Sequence, residues 1–278
     1  MSDLTYVHSV VLGIVEGLTE FLPVSSTGHL TITEGLLGLP VDDRAVTSFT
    51  AIIQLGAIAA TFLYFWRDIA RLATAWFAGL RSAEDRTDPD YRLAWFVIVG
   101  SIPLGLVGLL AQDLITGPLR SLWVVAAALV LWSGVMWYAE ARATQSKGEK
   151  EVGLGDVLVI GLLQCLSLIP GVSRSGATIS AGLLRGIDRV TATRLSFFLA
   201  IPALTAAGLY QLKDVDTAVV GWGEILVGTA VSFVVAYASI AWLLRFVQRH
   251  PITVFVYYRV ALGLALAVLL GAGVLSAT

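Results

Sequence analysis

GIVEGLTEFLPVSSTGHL, residues 13–30, is the stretch from which the fold can be read. Glu16 and Glu20 stand four apart in an otherwise apolar run, a spacing that puts both carboxylates on one face of a helix. Pro23 ends that helix, and Ser25, Ser26, Thr27, Gly28 and His29 follow at once. A capped surface helix whose serines start the next helix is the plain reading of such residues. The rest of the chain argues against it. Its 278 residues are 57% hydrophobic and 14% charged, where a soluble domain carries about 25% charged residues. With a mean hydropathy of +0.82 it is read as an integral membrane protein. Ionisable groups at membrane depth are costly to bury and mark function.

Composition also excludes several classes. The net charge of −2 offers no nucleic-acid footprint. The single Cys165 leaves no disulfide framework or thiolate cluster, and His8, His29 and His250 are too scattered for a histidine metal site. The first residues, MSDLTYVHSV, lack the basic segment and small-residue cleavage site of a signal peptide, so the first apolar stretch is expected to stay in the mature protein.

Working outward, residues 4–22 and about 29–38 are each too short for a clean crossing of about 20 residues. Two short segments meeting at a polar turn suggest a re-entrant hairpin, tolerated where the turn is buried in protein or lines a cavity. Full spans are expected at 48–66, 93–111 and 122–139, the first ended by Arg67, Asp68 and Arg71. A polar loop occupies 81–92, and a short turn around Gly117-Pro118 joins the second span to the third. The linker EARATQSKGEKEVG, 140–153, separates two halves, 1–145 and 146–278.

The second half repeats the first. GLLQCLSLIPGVSRSGATIS at 161–180, laid without gaps beneath GIVEGLTEFLPVSSTGHLTI at 13–32, pairs Glu16 with Gln164, Ser25 with Ser173, Thr27 with Ser175 and Gly28 with Gly176. Ser26 falls opposite Arg174, and the same offset lays Phe49 on Phe197. A second hairpin at about 154–187 and spans at 193–210, 224–244 and 253–275 complete this half. A hairpin returns to its own side whereas three crossings invert the chain. The expected fold is therefore an all-α polytopic membrane protein, an inverted repeat whose halves each hold one re-entrant hairpin and three transmembrane helices.

Lys and Arg set the orientation. With the 67–92 loop inside, the inner faces hold 13 of these cations and the outer faces 3, Arg44, Arg120 and Lys213, while Arg174 and Arg259 stay at membrane depth. Both termini are then external. The first hairpin enters from outside and the second from the cytoplasmic side to meet it.

The second turn, PGVSRSGAT at 170–178, sets a planar cation among hydroxyls and glycines, a combination suited to phosphate. Ser173, Ser175 and Thr178 either cap the helix or donate to phosphate oxygens. Opposite them, Ser26 or His29 could attack phosphorus, Glu20 or His29 could take the proton, and Arg174 could stabilise the charge that develops. Ser25 and Thr27 are further phosphate-binding candidates. Glu16 and Glu20 alternatively hold a divalent cation, Mg²⁺ or Ca²⁺. Arg259, in FVYYR at 255–259, either snorkels to the interface or makes a second phosphate contact.

EGLTEFLPVSSTGHL at 16–30, PGVSRSGAT at 170–178 and SFFLAIP at 196–202 resemble the undecaprenyl-diphosphate phosphatases of the bacitracin-resistance family, over nearly the whole chain. The resemblance implies hydrolysis of undecaprenyl diphosphate to undecaprenyl phosphate and inorganic phosphate, which recycles the lipid carrier for peptidoglycan and confers bacitracin resistance. It implies a bacterial cytoplasmic (inner) membrane, with the active site open to the external side. It makes Glu16 and Glu20 the acidic pair, Ser26 the nucleophile, His29 the paired histidine, Arg174 the phosphate-binding arginine and Arg259 a further basic position. A divalent-cation dependence comes with it. Partners are then the polyprenyl diphosphate and the bilayer, with no nucleic acid; a homodimer is left open. The alternative is a polyprenyl-phosphate transporter or flippase, which the inverted repeat alone would suggest. It needs no nucleophile in contact with a base.

Overall fold

A computed structural model describes residues 4–39, 44–111, 114–115, 119, 121–211 and 221–275. Among them the chain forms eleven α-helices: α1 Tyr6–Thr19, α2 Ser26–Leu36, α3 Arg44–Tyr64, α4 Trp66–Arg81, α5 Pro89–Leu110, α6 Leu122–Arg142, α7 Leu154–Gln164, α8 Arg174–Leu184, α9 Arg189–Gln211, α10 Trp222–Val247 and α11 Thr253–Gly271. The turn expected at Gly117-Pro118 and the cations Arg120 and Lys213 lie outside the described residues.

Among the described residues, five helices are long and apolar enough to cross a membrane: α3 from Val46, α5, α6, α10 and α11. Their outward faces carry large apolar side chains in the open, Leu110 at 88% and Leu131 at 73% exposure among them. Water would not tolerate such a surface, and lipid does. The chain is therefore multi-pass.

Local chemistry sets the helix ends. Thr5 and His8 form a reciprocal cap on α1, Asp88 caps α5 with Pro89 in its first turn, and Ser121 caps α6. The span expected at 48–66 is found at Val46–Tyr64. An element not expected from the sequence follows it: after Phe65, with φ −100° and ψ 17°, residues 66–81 form the amphipathic helix α4. Its cations do not end a helix; they line the polar face of the next one, while Leu72 and Gly79 are buried. Gly79 lets α4 lie on the Tyr91 ring of α5, since a Cβ there would sit 2.3 Å from that ring.

The short helices of each half pack against long helices of the other. α1 lies on α10, where a Cβ on Gly13 would stand 2.6 Å from the Gly228 carbonyl and one on Gly17 would stand 2.7 Å from that of Ser232. α7 lies on α5 through Gly161, whose added Cβ would meet the Gly100 carbonyl at 2.4 Å. Small residues let backbones approach where lipid supplies no hydrophobic drive between helices. Between these contacts Phe21, Phe65, Phe197 and Phe198 form an aromatic core, with centroids of neighbouring rings 5.4–5.5 Å apart.

A rim of ion pairs ties one end of the molecule. Arg71 meets Asp68, Asp90 and Glu149, Arg194 meets Asp68 and Glu149, Lys147 and Arg185 share Asp156, and Arg189 pairs with Glu140. The pairs of Arg71 and Arg194 are partly exposed, so each contributes at most about 1 kcal/mol, whereas Asp156 and Glu140 are buried carboxylates held by their partners.

Gly17→Val should therefore destabilise the protein by about 1–3 kcal/mol through overpacking, read as a lower thermal midpoint in detergent. Gly35→Ala is the control, because an added Cβ there meets nothing within 4 Å. Equal midpoints for the two variants would show that α1 and α10 are not in close contact.

Candidate active site

Two turns meet in the middle of the bundle. In the first, α1 ends at Thr19 and α2 begins at Ser26, so Ser26 and His29 both sit in the opening turn of α2. In the second, α8 begins at Arg174. The residues before them, Ser25 and Ser173, hold left-handed backbone angles, φ 77° and 76°, that few non-glycine residues adopt. Each offers its hydroxyl oxygen to a glycine amide three residues on, Gly28 and Gly176. The paired sequences fold into the same strained cap, and strain of this kind is held only where surroundings over-determine it.

Glu20 joins the two turns. Ser26 donates its hydroxyl to Glu20 Oε2 at 2.6 Å, and Arg174 Nη2 donates to Glu20 Oε1 at 3.1 Å. Ser26 and Arg174 thus share one carboxylate although they stand 148 residues apart in the chain. Arg174 Nη1 donates to the Ser196 carbonyl at 3.1 Å, and its Nε–H has no partner among the described residues. Ser26 and His29 are half-buried and Thr27 is exposed, whereas the Arg174 side chain is only 9% exposed.

The remaining hydroxyls are spent on the protein. Ser25 Oγ accepts from Gly28 N and, at 3.1 Å, from Gly171 N across the gap between the turns. Ser175 donates to the Leu22 carbonyl at 2.9 Å, so the contact of 3.1 Å between Ser173 and Ser175 uses the Ser173 proton. Thr178 Oγ1 lies 2.9 Å from the Arg174 carbonyl and 2.7 Å from Ser196 Oγ. All four are buried. Of the two roles expected for Ser173, Ser175 and Thr178, the structure shows the capping and bracing one, and Ser25 shares it.

Arg259 has a similar role. It has no exposed surface, and each of its three nitrogens is engaged: Nε with Ser133 Oγ at 3.2 Å, Nη1 with the Pro23 carbonyl at 3.3 Å and Nη2 with the Gly171 carbonyl at 2.8 Å. Pro23 and Gly171 are paired positions of the two turns. It neither snorkels nor faces the opening; it clasps the turns together.

The acidic pair divides. Glu20 is engaged as above, whereas Glu16 is fully buried and its Oε1 has no hydrogen-bond partner among the described residues. Glu16 lies within electrostatic reach of both Glu20 and Arg174. Among the described residues no group of three His, Cys, Asp or Glu side chains forms a metal cage. The oxygen donors present instead suit a hard cation held by one or two carboxylates together with ligand phosphates.

Three residues here were missed by sequence reasoning. Tyr258 bonds His29 Nε2 at 2.6 Å, Ser133 holds Arg259, and Ser196 meets both Arg174 and Thr178. Tyr258 and Ser196 lie inside quoted motifs, FVYYR and SFFLAIP, where their polar atoms were the available signal. Ser133, alone in an apolar span, carried none.

Comparison with known proteins gives a consistent answer. Residues 9–265 match the family model of the bacitracin resistance protein BacA. Similar proteins include undecaprenyl-diphosphatase 1 of Streptomyces avermitilis, 57% identical over 99% of this chain and 100% of its own length. Undecaprenyl-diphosphatase 1 of Streptomyces coelicolor is 58% identical over 99% of each chain. The undecaprenyl-diphosphatase of Cutibacterium acnes is 54% identical over 99% of this chain and 100% of its own.

Arg259→Met would leave the Pro23 and Gly171 carbonyls buried without donors, at about 1–3 kcal/mol each. The expected result is a large drop in thermal midpoint in detergent. Arg259→Lys should restore only part of it, because an ammonium cannot reproduce the planar fork. A methionine variant as stable as the parent would refute the clasp.

Proposed function

The chain belongs to the bacitracin resistance protein BacA family, and on that premise we propose that it hydrolyses undecaprenyl diphosphate to undecaprenyl phosphate and inorganic phosphate. The observation that carries this reading is the 2.6 Å hydrogen bond from Ser26 to Glu20, with Arg174 on the other oxygen of the same carboxylate. A transporter needs no hydroxyl bonded to a base. A phosphatase does.

The chemistry follows from that contact. The terminal phosphoryl group enters between Ser26 and Arg174, and Arg174 turns from Glu20 to the phosphoryl oxygens. Its Nε–H has no partner among the described residues and would be a further donor to those oxygens, and donors aimed at developing charge lower the barrier. Ser26 Oγ attacks the terminal phosphorus as Glu20 takes its proton. The bond from that phosphorus to the bridging oxygen breaks, and undecaprenyl phosphate leaves. Water then attacks the phosphoserine, inorganic phosphate departs and Ser26 recovers its proton. Thr27, exposed in the opening turn of α2, is the remaining hydroxyl available to phosphate. His29 is assigned to positioning in place of attack, because both of its ring nitrogens are occupied, by the Ser25 carbonyl at 2.7 Å and by Tyr258 at 2.6 Å.

A divalent cation fits the acidic pair. Glu16, through its unpartnered Oε1, and Glu20 would hold Mg²⁺ or Ca²⁺ together with diphosphate oxygens. When bound, it supplies positive charge against the phosphate oxygens.

The architecture we propose is the inverted repeat, with two re-entrant hairpins, α1–α2 and α7–α8, meeting at the site. It is supported by the matching backbone of Ser25 and Ser173 and by the exchange in which each hairpin packs on the other half. The Lys and Arg distribution supports the ion-paired rim as cytoplasmic, both termini as external and the site as open outward, in the bacterial cytoplasmic membrane.

Purified protein given undecaprenyl diphosphate should release inorganic phosphate. Ser26→Ala should lower kcat by at least about 10³-fold, and Glu20→Gln by about 10²–10⁴-fold. No release by the parent protein would overturn the hydrolase reading, and full turnover by Ser26→Ala would remove Ser26 as nucleophile. Chelation should abolish turnover and Mg²⁺ restore it, with Glu16→Gln raising the half-saturating Mg²⁺ concentration by about tenfold or more. Full activity in chelator would dismiss the cation and leave the serine assignment standing.

A further inference from the structure

Tyr258 and Arg259 are consecutive residues of α11, and their side chains reach opposite ends of one hydrogen-bonded circuit. Arg259 Nη2 donates to the Gly171 carbonyl, and Gly171 N donates to Ser25 Oγ. The Ser25 carbonyl meets His29 Nδ1 at 2.7 Å, and His29 Nε2 meets the Tyr258 hydroxyl at 2.6 Å. The chain returns to α11 one residue from where it left. Inside it stands Ser25 with φ 77°, the cap that fixes where α2 starts and so where Ser26 points.

Donor logic fixes the protons around this circuit. A carbonyl only accepts, so the contact at Ser25 requires a proton on His29 Nδ1. In the neutral ring Nε2 is then the acceptor, and the Tyr258 hydroxyl is the donor. The rings also stack, with centroids 5.6 Å apart and planes 11° from parallel, which holds the imidazole in that orientation. Tyr258 is 48% exposed and has no other hydrogen bond among the described residues, so a buried structural network does not account for it.

We infer that Tyr258 is a positioning residue for phosphoryl transfer: its hydroxyl fixes His29 in the Nδ1–H tautomer, and the imidazole in turn holds the strained Ser25 cap that aims Ser26 at the substrate. This rests on the hydrolase reading given above. It also explains why a histidine beside the nucleophile need not take the nucleophile's proton. Glu20 does that, and the imidazole supplies orientation.

Two measurements on the full chain in detergent test it. Nitrogen-15 NMR of histidine-labelled protein has only His8, His29 and His250 to resolve, and a His29→Asn variant assigns the signal. The parent should show His29 protonated on Nδ1, with Nε2 unprotonated and hydrogen-bonded. In Tyr258→Phe, which keeps the ring stack, the hydrogen-bond shift at Nε2 should vanish. Its kcat on undecaprenyl diphosphate should fall about tenfold, the loss expected for one hydrogen bond to a positioning group, with KM changed by less than about twofold. In the His29→Asn background the same substitution should cost almost nothing more, because the two residues act as one unit. A parent His29 carrying its proton on Nε2, a phenylalanine variant with full kcat, or penalties that add in the double variant would each overturn the inference. The tautomer of the parent is readable even if the phenylalanine variant fails to fold. If the parent releases no phosphate, the hydrolase reading falls on its own and the tautomer still decides the pairing.

Discussion

A guanidinium with no exposed surface must have every N–H satisfied by protein, and at membrane depth no water can substitute. Arg259 meets that demand with one carbonyl from each turn, Pro23 and Gly171, and a hydroxyl from α6. The arrangement is self-consistent. The turns supply acceptors because irregular backbone leaves carbonyls free, and the arginine makes that backbone tolerable in an apolar surrounding. Remove either and the other becomes a buried, unpaired polar group. The relative placement of Ser26 and Arg174 depends on this mutual satisfaction.

The two turns share a backbone and differ in what they carry. At paired positions one holds the hydroxyl of Ser26 and the other the guanidinium of Arg174, with Glu20 between them. A carboxylate buried beside an arginine is a strong partner only while geometry holds, since losing either side leaves an uncompensated charge that costs about 3–5 kcal/mol. In the reaction proposed above, an arriving phosphate would replace the carboxylate as the anion on Arg174, so the site would exchange one ion pair for another and leave Glu20 with Ser26. In the proposed reaction that exchange couples substrate binding to release of the base.

The remaining polar residues of the two turns serve this centre at one remove. Ser25, Ser173, Ser175 and Thr178 each hydrogen-bond within the protein; Ser25 and Ser173 define two helix starts, and Ser25 and Ser175 lock one turn to the other. Gly13, Gly17 and Gly161 bring the short helices close enough to their neighbours for those locks to form. The charged rim acts at the far end, where α4 turns its polar face to Glu149 and α9 through Asp68. The pairs of Arg71 and Arg194 there are partly solvated and individually weak, whereas the buried contacts at the centre are few and each indispensable.

Much of this was legible before any coordinate. Hydropathy and helix length are properties of contiguous residues, so long apolar helices, the polar interruption at 16–29 and its echo at 164–178 could be read along the chain. Charge at membrane depth singled out Glu16, Glu20, Arg174 and Arg259 for the same reason: burying a charge in lipid is costly whatever the fold. Helix α4 escaped because its apolar and cationic residues alternate at helical spacing, which lowers its mean hydropathy and resembles a loop. Which hydroxyls face a ligand and which brace the backbone was decided only in three dimensions. The partners that settle it lie far apart in sequence, Arg259 from Pro23 by 236 residues, Tyr258 from His29 by 229 and Ser25 from Gly171 by 146. A serine reads the same in sequence whether or not its hydroxyl is already taken, and only the packing of distant helices determines what stands 3 Å away.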